Sequence, residues 1–374
     1  MTEKRNRPHS LTTVSQAPGG PSPLRAVAGA WLSGVLCCVL LGACVSPPAA
    51  QGDDGPLGAD APTSAALWDW EALEQPLASR IDGISDQNLP YWGGSGNGPL
   101  VGLSANAWLG GAGPHLGYAR YVVQWDVMSR RTREPYRHYY EAFVDWYREV
   151  HALGLSADVA FGLYTGAPPA SADAYRSAIE ELLSAFPVPY IEAFNEPNGT
   201  ANLSAATAAH FFNQAYGYCE RHGCEAIAGD FLDTAGAASY ALQYKRALSP
   251  TEYPRERDPP DWGLHPYVAV NRGGGEAQAI RRELPAPDSL WITEVGAYYC
   301  EAPDDMDGFG EAGQAANAWR LVNVVIPALA PLHVFYYELS YKDGELTPCD
   351  QYSDTALYVG IEDRPRAAAG VLLG

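Results

Sequence analysis

From residue 100 onward, short apolar runs alternate with longer segments patterned like amphipathic helices. This alternation restricts the possible folds more than any other feature of the chain. The runs are Leu100–Ser104, Ala119–Trp125, Ser156–Tyr164, Tyr190–Asn195, Glu225–Phe231, Asp261–Val270, Ser289–Val295 and Leu332–Leu339. Several are too apolar for a sheet wetted on one side, as expected of parallel strands covered on both faces. The helical segments between them are Tyr136–Leu153, Ala172–Phe186, Ser204–His222, Ala237–Leu248, Glu276–Leu284 and Glu311–Ala328. Gly154 is a natural stop for the first, and Ser171 a natural N-cap for the second. Only the first crossover, residues 105–118, lacks a helical pattern. Eight strands alternating with helices over about 275 residues predict an α/β fold, a (β/α)8 TIM barrel forming a single catalytic domain. The competing open doubly wound sheet needs a Gly-rich phosphate loop after its first strand. Gly110-Gly111-Ala112-Gly113 misses that spacing.

The N-terminal part reads differently. Residues 26–43 carry no charge and follow Arg25, so they form an export segment or a membrane anchor. Leu41-Gly42-Ala43-Cys44 resembles the bacterial lipobox. That resemblance implies cleavage after residue 43, lipidation of Cys44, and an extracytoplasmic protein held at the cell membrane. An uncleaved anchor and a secreted form are the alternatives. Residues 44–66 are rich in Pro, Gly and Ala without periodicity and read as a flexible tether, leaving 67–374 as the barrel domain. Of the 7 cysteines, Cys219, Cys224, Cys300 and Cys349 lie in the domain. In an oxidising compartment four cysteines form two disulfides by one of three pairings. Cys219–Cys224 with Cys300–Cys349 is the favoured one, and four unpaired core thiols the alternative.

The formal net charge of −20 argues against nucleic acid or an anionic surface as a partner and favours a neutral or cationic substrate. A monomer is the default expectation. Cys219-x4-Cys224 has no second pair at zinc-ligand spacing, and the acidic run Glu301, Asp304, Asp305, Asp307 and Glu311 misses the EF-hand pattern, so no metal or cofactor is expected.

In a barrel the chemistry sits where strands end. The fourth run ends in Asn195-Glu196-Pro197-Asn198 and the seventh in Thr293-Glu294. The sixth carries His265 and Tyr267, and the second carries Arg120 and ends at Trp125-Asp126. A carboxylate beside an apolar barrel core is costly unless something uses or pairs it. Two of them at one mouth can divide glycoside hydrolysis, one donating a proton and the other attacking the anomeric carbon or activating water.

These residues resemble the clan A glycoside hydrolases, retaining enzymes on a (β/α)8 barrel such as cellulases and β-xylosidases. The signature is Asn195-Glu196 within AFNEPN and Glu294 within WITEVGAY, with likeness over residues 98–370. The resemblance implies Glu196 as acid/base and Glu294 as nucleophile, with carboxyls ~5–5.5 Å apart. It implies that Asn195 holds the sugar 2-hydroxyl and that Tyr267, beside His265, steadies Glu294. It also implies that Arg120 pairs with Glu294, favouring its ionised form. Arg364-Pro365-Arg366-Ala367 fits the closing segment of such barrels. Two departures stand out: Tyr336-Tyr337 or Glu338 replaces the strand-eight tryptophan, and the first crossover is abbreviated. Trp125, Tyr298 and Tyr336, with Trp108 and Tyr164, are candidate sugar platforms or packing aromatics. Asp126 and Asp233 bind hydroxyls or cap helices. The expected partner is an extracellular oligo- or polysaccharide. A catalytically silent carbohydrate-binding lipoprotein and a transglycosylase are the rival readings.

Overall fold

The computed structural model describes residues 81–85, 116–199, 201–248, 259, 261–284, 290–299, 310–338, 340–341, 355–359 and 364–373. The signal segment, Cys44, the tether, the glycine run 110–113, Trp108, the acidic run 301–307, Cys300 and Cys349 lie outside them.

Eight parallel strands close into a barrel, each paired with its sequence neighbours and the last with the first. They are β1 (Gly83–Ser85), β2 (Tyr118–Gln124), β3 (Ser156–Gly162), β4 (Tyr190–Glu192), β5 (Glu225–Leu232), β6 (Asp261–His265), β7 (Leu290–Val295) and β8 (His333–Tyr336). The helices along the chain are α1 (Val127–Arg130), α2 (Tyr136–Leu153), α3 (Ala172–Ala185), α4 (Ala205–His222), α5 (Ala237–Ala247), α6 (Tyr267–Arg272), α7 (Ala277–Glu283), α8 (Glu311–Arg320), α9 (Ile326–Leu329) and α10 (Ala367–Leu373). A small sheet of β9 (Ser340–Tyr341), β10 (Tyr358–Val359) and β11 (Arg364–Pro365) precedes α10.

The caps follow the sequence. Gly154 closes α2 at φ 71°, a left-handed conformation that suits glycine. Ser171 accepts from the Ala174 N–H at 3.1 Å to open α3, and Ser204 does the same for α4 through Thr207. The expected helix over 311–328 is broken by a π-helical turn, Leu321–Val325. Pro327 follows it and has no N–H for the carbonyl four residues back, which disfavours a continuous α-helical ladder.

Three expectations need correction. The first strand is Gly83–Ser85, not Leu100–Ser104, which lies outside the described residues. Three residues flanked by Asp82 give no recognisable apolar run. Gly83 is needed there because a Cβ would come within 2.6 Å of the Phe335 ring. The first crossover therefore runs from residue 86 to residue 117 and is not abbreviated. The sixth strand ends at His265, because Pro266 cannot extend the ladder and Asp233 caps a new helix. Its carboxylate accepts from the Val268 and Ala269 N–H groups at 2.8 Å each.

Alternation divides the core in two. Inside the barrel, Ile227, Trp291 and Phe335 pack with Tyr118 and Tyr190 and fill one end. Residues one step away face the helices, as Tyr121 does against Phe143 and Trp146 of α2. Above the aromatic layer the interior turns polar. Cys219 and Cys224 form the favoured disulfide at the end of α4, with Cα atoms 4.5 Å apart.

Candidate active site

Two irregularities in the ladder build the polar interior. Between β5 and β6 the register shifts between Gly229 and Phe231, leaving Asp230 as the extra residue at φ 60°. Between β7 and β8 it shifts between Ile292 and Val295. In a regular strand neighbouring side chains face opposite ways, and a bulge relaxes that rule. Thr293 and Glu294, adjacent in sequence, thus both reach the barrel interior. Glu196 follows β4 in an irregular turn and also adopts a left-handed conformation, φ 46°. Such backbone in a non-glycine residue costs on the order of 1–3 kcal/mol and persists only where the surroundings enforce it. Here they do. The Asn195 N–H donates to the Phe161 carbonyl at 2.7 Å, Tyr175 donates to the Ala193 carbonyl, and the Asn198 side chain bonds both backbone groups of Leu232.

The structure brings six expected residues together. Tyr267 donates its hydroxyl to Oε1 of Glu294 at 2.9 Å. Arg120 donates to Oε2 at 2.5 Å, and Ser85 reaches the same oxygen at 3.3 Å. Asn195 accepts from Arg120 at 2.8 Å. Nδ1 of His265 lies 3.0 Å from Oε1 of Glu196, and Nε2 lies 2.8 Å from Oδ1 of Asp230. Oxygens of Glu196 and Glu294 and a nitrogen of His265 all lie within 4.8 Å of one another. Glu294 retains 8% exposure, whereas Arg120 and His265 are fully buried. Arg120 thus meets Glu294 as the resemblance implies, and both buried side chains contact carboxylates.

Burial pushes the Glu196 carboxyl above its ordinary range, and the His265 hydrogen bond only partly opposes it. For His265, burial alone works against the cation. The Asp230 and Glu294 carboxylates outweigh it and carry the imidazole up to about 10. Asp230 is itself buried, yet His265 and Arg120 hold it well below the carboxylate range. One carboxyl at the mouth is thus biased toward keeping its proton, while the other accepts hydrogen bonds from a guanidinium and a phenol.

Other expected residues lie elsewhere. Tyr336 is fully buried on the outer face of β8, where its hydroxyl donates to the Thr355 carbonyl and accepts from the Ala297 N–H. It is no sugar platform, because Phe335 takes the inward position. Tyr337 is the aromatic nearer the site. Burial and then the Glu338 and Glu294 carboxylates push its phenol upward. Tyr298 stacks on Tyr267 with centroids 5.5 Å apart and so backs the tyrosine. Trp125 donates its indole N–H to the Ala167 carbonyl and borders a cavity of about 120 Å³ with Ser129, Ala174 and Glu181. No contact of Trp125 joins it to the two glutamates among the described residues. Asp233 is a helix cap, whereas Asp126 makes no capping hydrogen bond and instead pairs with Arg130 at 2.8 Å and accepts from Gln124 at 2.7 Å.

Sequence reasoning missed Ser85, Asp158, Glu192 and Asp230. Arg120 forks onto Glu192 with two 2.7 Å contacts and reaches Asp230 at 3.0 Å. Asp158 lies beside it on β3, fully buried, and burial pushes its carboxyl up to about 6. The signal was present: each acid interrupts an apolar strand, in SADVAFG, YIE and EAIAGDFL. Glu192, Asp230 and His265 could together ligate a metal, as could Glu196, His265 and Glu294. In the first set Arg120 already bonds both carboxylates. In the second, Nδ1 of His265 is engaged with Glu196.

No family model matches the chain, and no curated protein matches it in sequence. Solved structures match its fold. A family 39 glycoside hydrolase from the gut symbiont Bacteroides cellulosilyticus is 15% identical, with a TM-score of 0.51 over 79% of this chain and 64% of that one. The chain thus spans less than two thirds of that protein. A family 30 subfamily 8 xylanase from Clostridium acetobutylicum is 14% identical, with a TM-score of 0.46 over 80% of this chain and 70% of that one. A family 5 protein from Streptomyces cattleya is 15% identical, with a TM-score of 0.46 over 69% and 70%. At such identity the likeness to the family 39 enzyme is one of fold, the (β/α)8 barrel.

Proposed function

We propose that the chain is a retaining glycoside hydrolase acting on an extracellular oligo- or polysaccharide, with Glu196 as acid/base and Glu294 as nucleophile. The observation that carries this reading is the approach of an oxygen of each carboxylate to within 4.8 Å at the mouth of the barrel. That bound falls below the ~6.5–9.5 Å that leaves room for an intervening water and is compatible with the ~5–5.5 Å of direct attack.

In the first step a carboxylate oxygen of Glu294 bonds to the anomeric carbon as the bond to the leaving oxygen breaks. Glu196 gives its proton to that oxygen. Burial raises the tendency of Glu196 to hold its proton, which suits the donor. Arg120 and Tyr267 bond Glu294 in its ionised form and aim it. In the second step Glu196, now a carboxylate, takes a proton from water. The water oxygen bonds to the anomeric carbon, and Glu294 leaves. Asn195, beside Glu196, is placed to hold the hydroxyl next to the anomeric centre.

Further parts of the reading concern location. Residues 1–43 form a signal segment, Cys44 carries lipid, and residues 44–66 tether a monomeric domain, 67–374, outside the cell. Mass spectrometry of the mature N-terminus tests this, with a lipid-modified Cys44 expected. Among the described residues, no helix is long and apolar enough to cross a membrane.

Activity is tested by assaying the chain on aryl glycosides and plant or microbial polysaccharides. Turnover of at least one, lost in Glu196→Gln and Glu294→Gln, is expected. Calorimetric binding without turnover across the panel contradicts an enzyme and favours a carbohydrate-binding protein.

A further inference from the structure

Asp230 enters the barrel by three arrangements that have no use in an ordinary strand. It is the extra residue of the β5 bulge, it holds a left-handed backbone, and it faces a glycine across the ladder. A Cβ on Gly263 would lie 3.0 Å from Oδ1 of Asp230 and from Oγ1 of Thr293, and 3.1 Å from the Asp230 Cα. The space for this carboxylate is thus made by its neighbour on β6. Inside, Oδ1 accepts from Thr293 at 2.5 Å and meets Nε2 of His265 at 2.8 Å, while Oδ2 meets Arg120 at 3.0 Å. Nε2 of His265 and Nη2 of Arg120 are only 3.4 Å apart. An imidazolium at that distance from a guanidinium needs an anion between them.

We propose that Asp230 is a positioning residue of this site, holding His265 as an imidazolium against Glu196 while bracing Arg120 against Glu294. The inference rests on the glycoside hydrolase reading for its catalytic meaning, but its physical content stands apart from it. Asp230 accepts a hydrogen bond from Nε2–H, and Nδ1–H donates to Glu196. The same carboxylate therefore reaches the acid/base through His265 and the nucleophile through Arg120. The other groups around His265 are Arg120 from β2, Glu192 and Glu196 from β4 and its turn, Asp233 after β5, Tyr267 from α6 and Glu294 from β7. Among the described acids, only Asp230 forms ion-pair contacts with both Arg120 and His265.

The test is a histidine titration of the full chain labelled with nitrogen-15, followed by NMR. His265→Gln supplies the assignment. In the wild type one ring keeps both protons at pH 8.5, far above the ordinary histidine value of about 6.5. In Asp230→Asn that ring is expected to titrate below pH 7. A His265 that is neutral at pH 8.5 in the wild type overturns the proposal, as does an unchanged titration in the variant. Should the variant not fold, the wild-type titration alone decides. None of these readouts needs turnover, so they stand if the hydrolase reading fails. Where an aryl glycoside is turned over, leaving groups separate the roles. Asp230→Asn is expected to slow a substrate with a basic phenol at least tenfold more than one with an acidic phenol, since only the former needs the proton. Both substrates slowed equally, alongside lowered thermal stability, contradicts action through Glu196.

Discussion

Tyr267 donates its hydroxyl to Oε1 of Glu294 at 2.9 Å from the first residue of a helix, one proline beyond the end of β6. A short helix, capped by Asp233 and backed by Tyr298, thus sets the phenol against Glu294. Removing one hydrogen bond to an ionised group costs about 1.5–3 kcal/mol. Tyr267→Phe is therefore expected to lower kcat roughly ten- to a hundredfold, with thermal stability little changed. Steady-state kinetics beside a melting curve check this.

Among the described residues Arg120 is the only cation in salt-bridge contact with Glu192 and Glu294, and it shares Asp230 with His265. Its removal strands buried carboxylates. Arg120→Met is expected to destabilise the fold by about 3–5 kcal/mol, measured by urea unfolding at neutral pH. Arg120→Lys is expected to lose much of that as well, because an ammonium cannot fork across Glu192 while reaching Glu294.

The buried Asp158 carboxyl sets a pH dependence of its own. Burial holds its proton to about pH 6 in the folded chain, whereas the unfolded chain releases it near the ordinary aspartate value. Between the two the folded state binds more protons, so stability falls as pH rises through that window. The loss is on the order of 3 kcal/mol. Asp158→Asn is expected to flatten this fall. Unfolding free energies at pH 4 and pH 7 give the comparison.

Gly263 leaves room for Asp230 and Thr293, and backbone as well as side chain stands in the way of a methyl group. Gly263→Ala is expected to cost about 1–3 kcal/mol through overpacking. The expected activity loss exceeds that of a methyl added at an open glycine such as Gly274, where nothing lies within 4 Å. Melting temperatures and kcat of the two variants test the contrast.

What the sequence revealed follows from which interactions are local. Helix limits such as Tyr136–Leu153 were readable because periodicity and Gly154 sit within the segment itself. Glu196 and Glu294 were readable because strand ends carry the chemistry of a barrel. Gly83–Ser85 was not, because three residues show no period and its place depends on Phe335, far along the chain. Tyr336 misled because strand alternation had to be counted from β8's true start. The acid in EAIAGDFL was visible, but the inward placement of Asp230 was not, because a bulge reverses the inward and outward assignment.

The central claim is that Glu294 bonds to the sugar. Mass spectrometry after incubation with a mechanism-based fluorosugar of an active glycoside tests it most directly. The account predicts one added sugar mass on the peptide bearing Glu294, with none in Glu294→Gln. Labelling that persists in that variant, or falls on another residue, contradicts it.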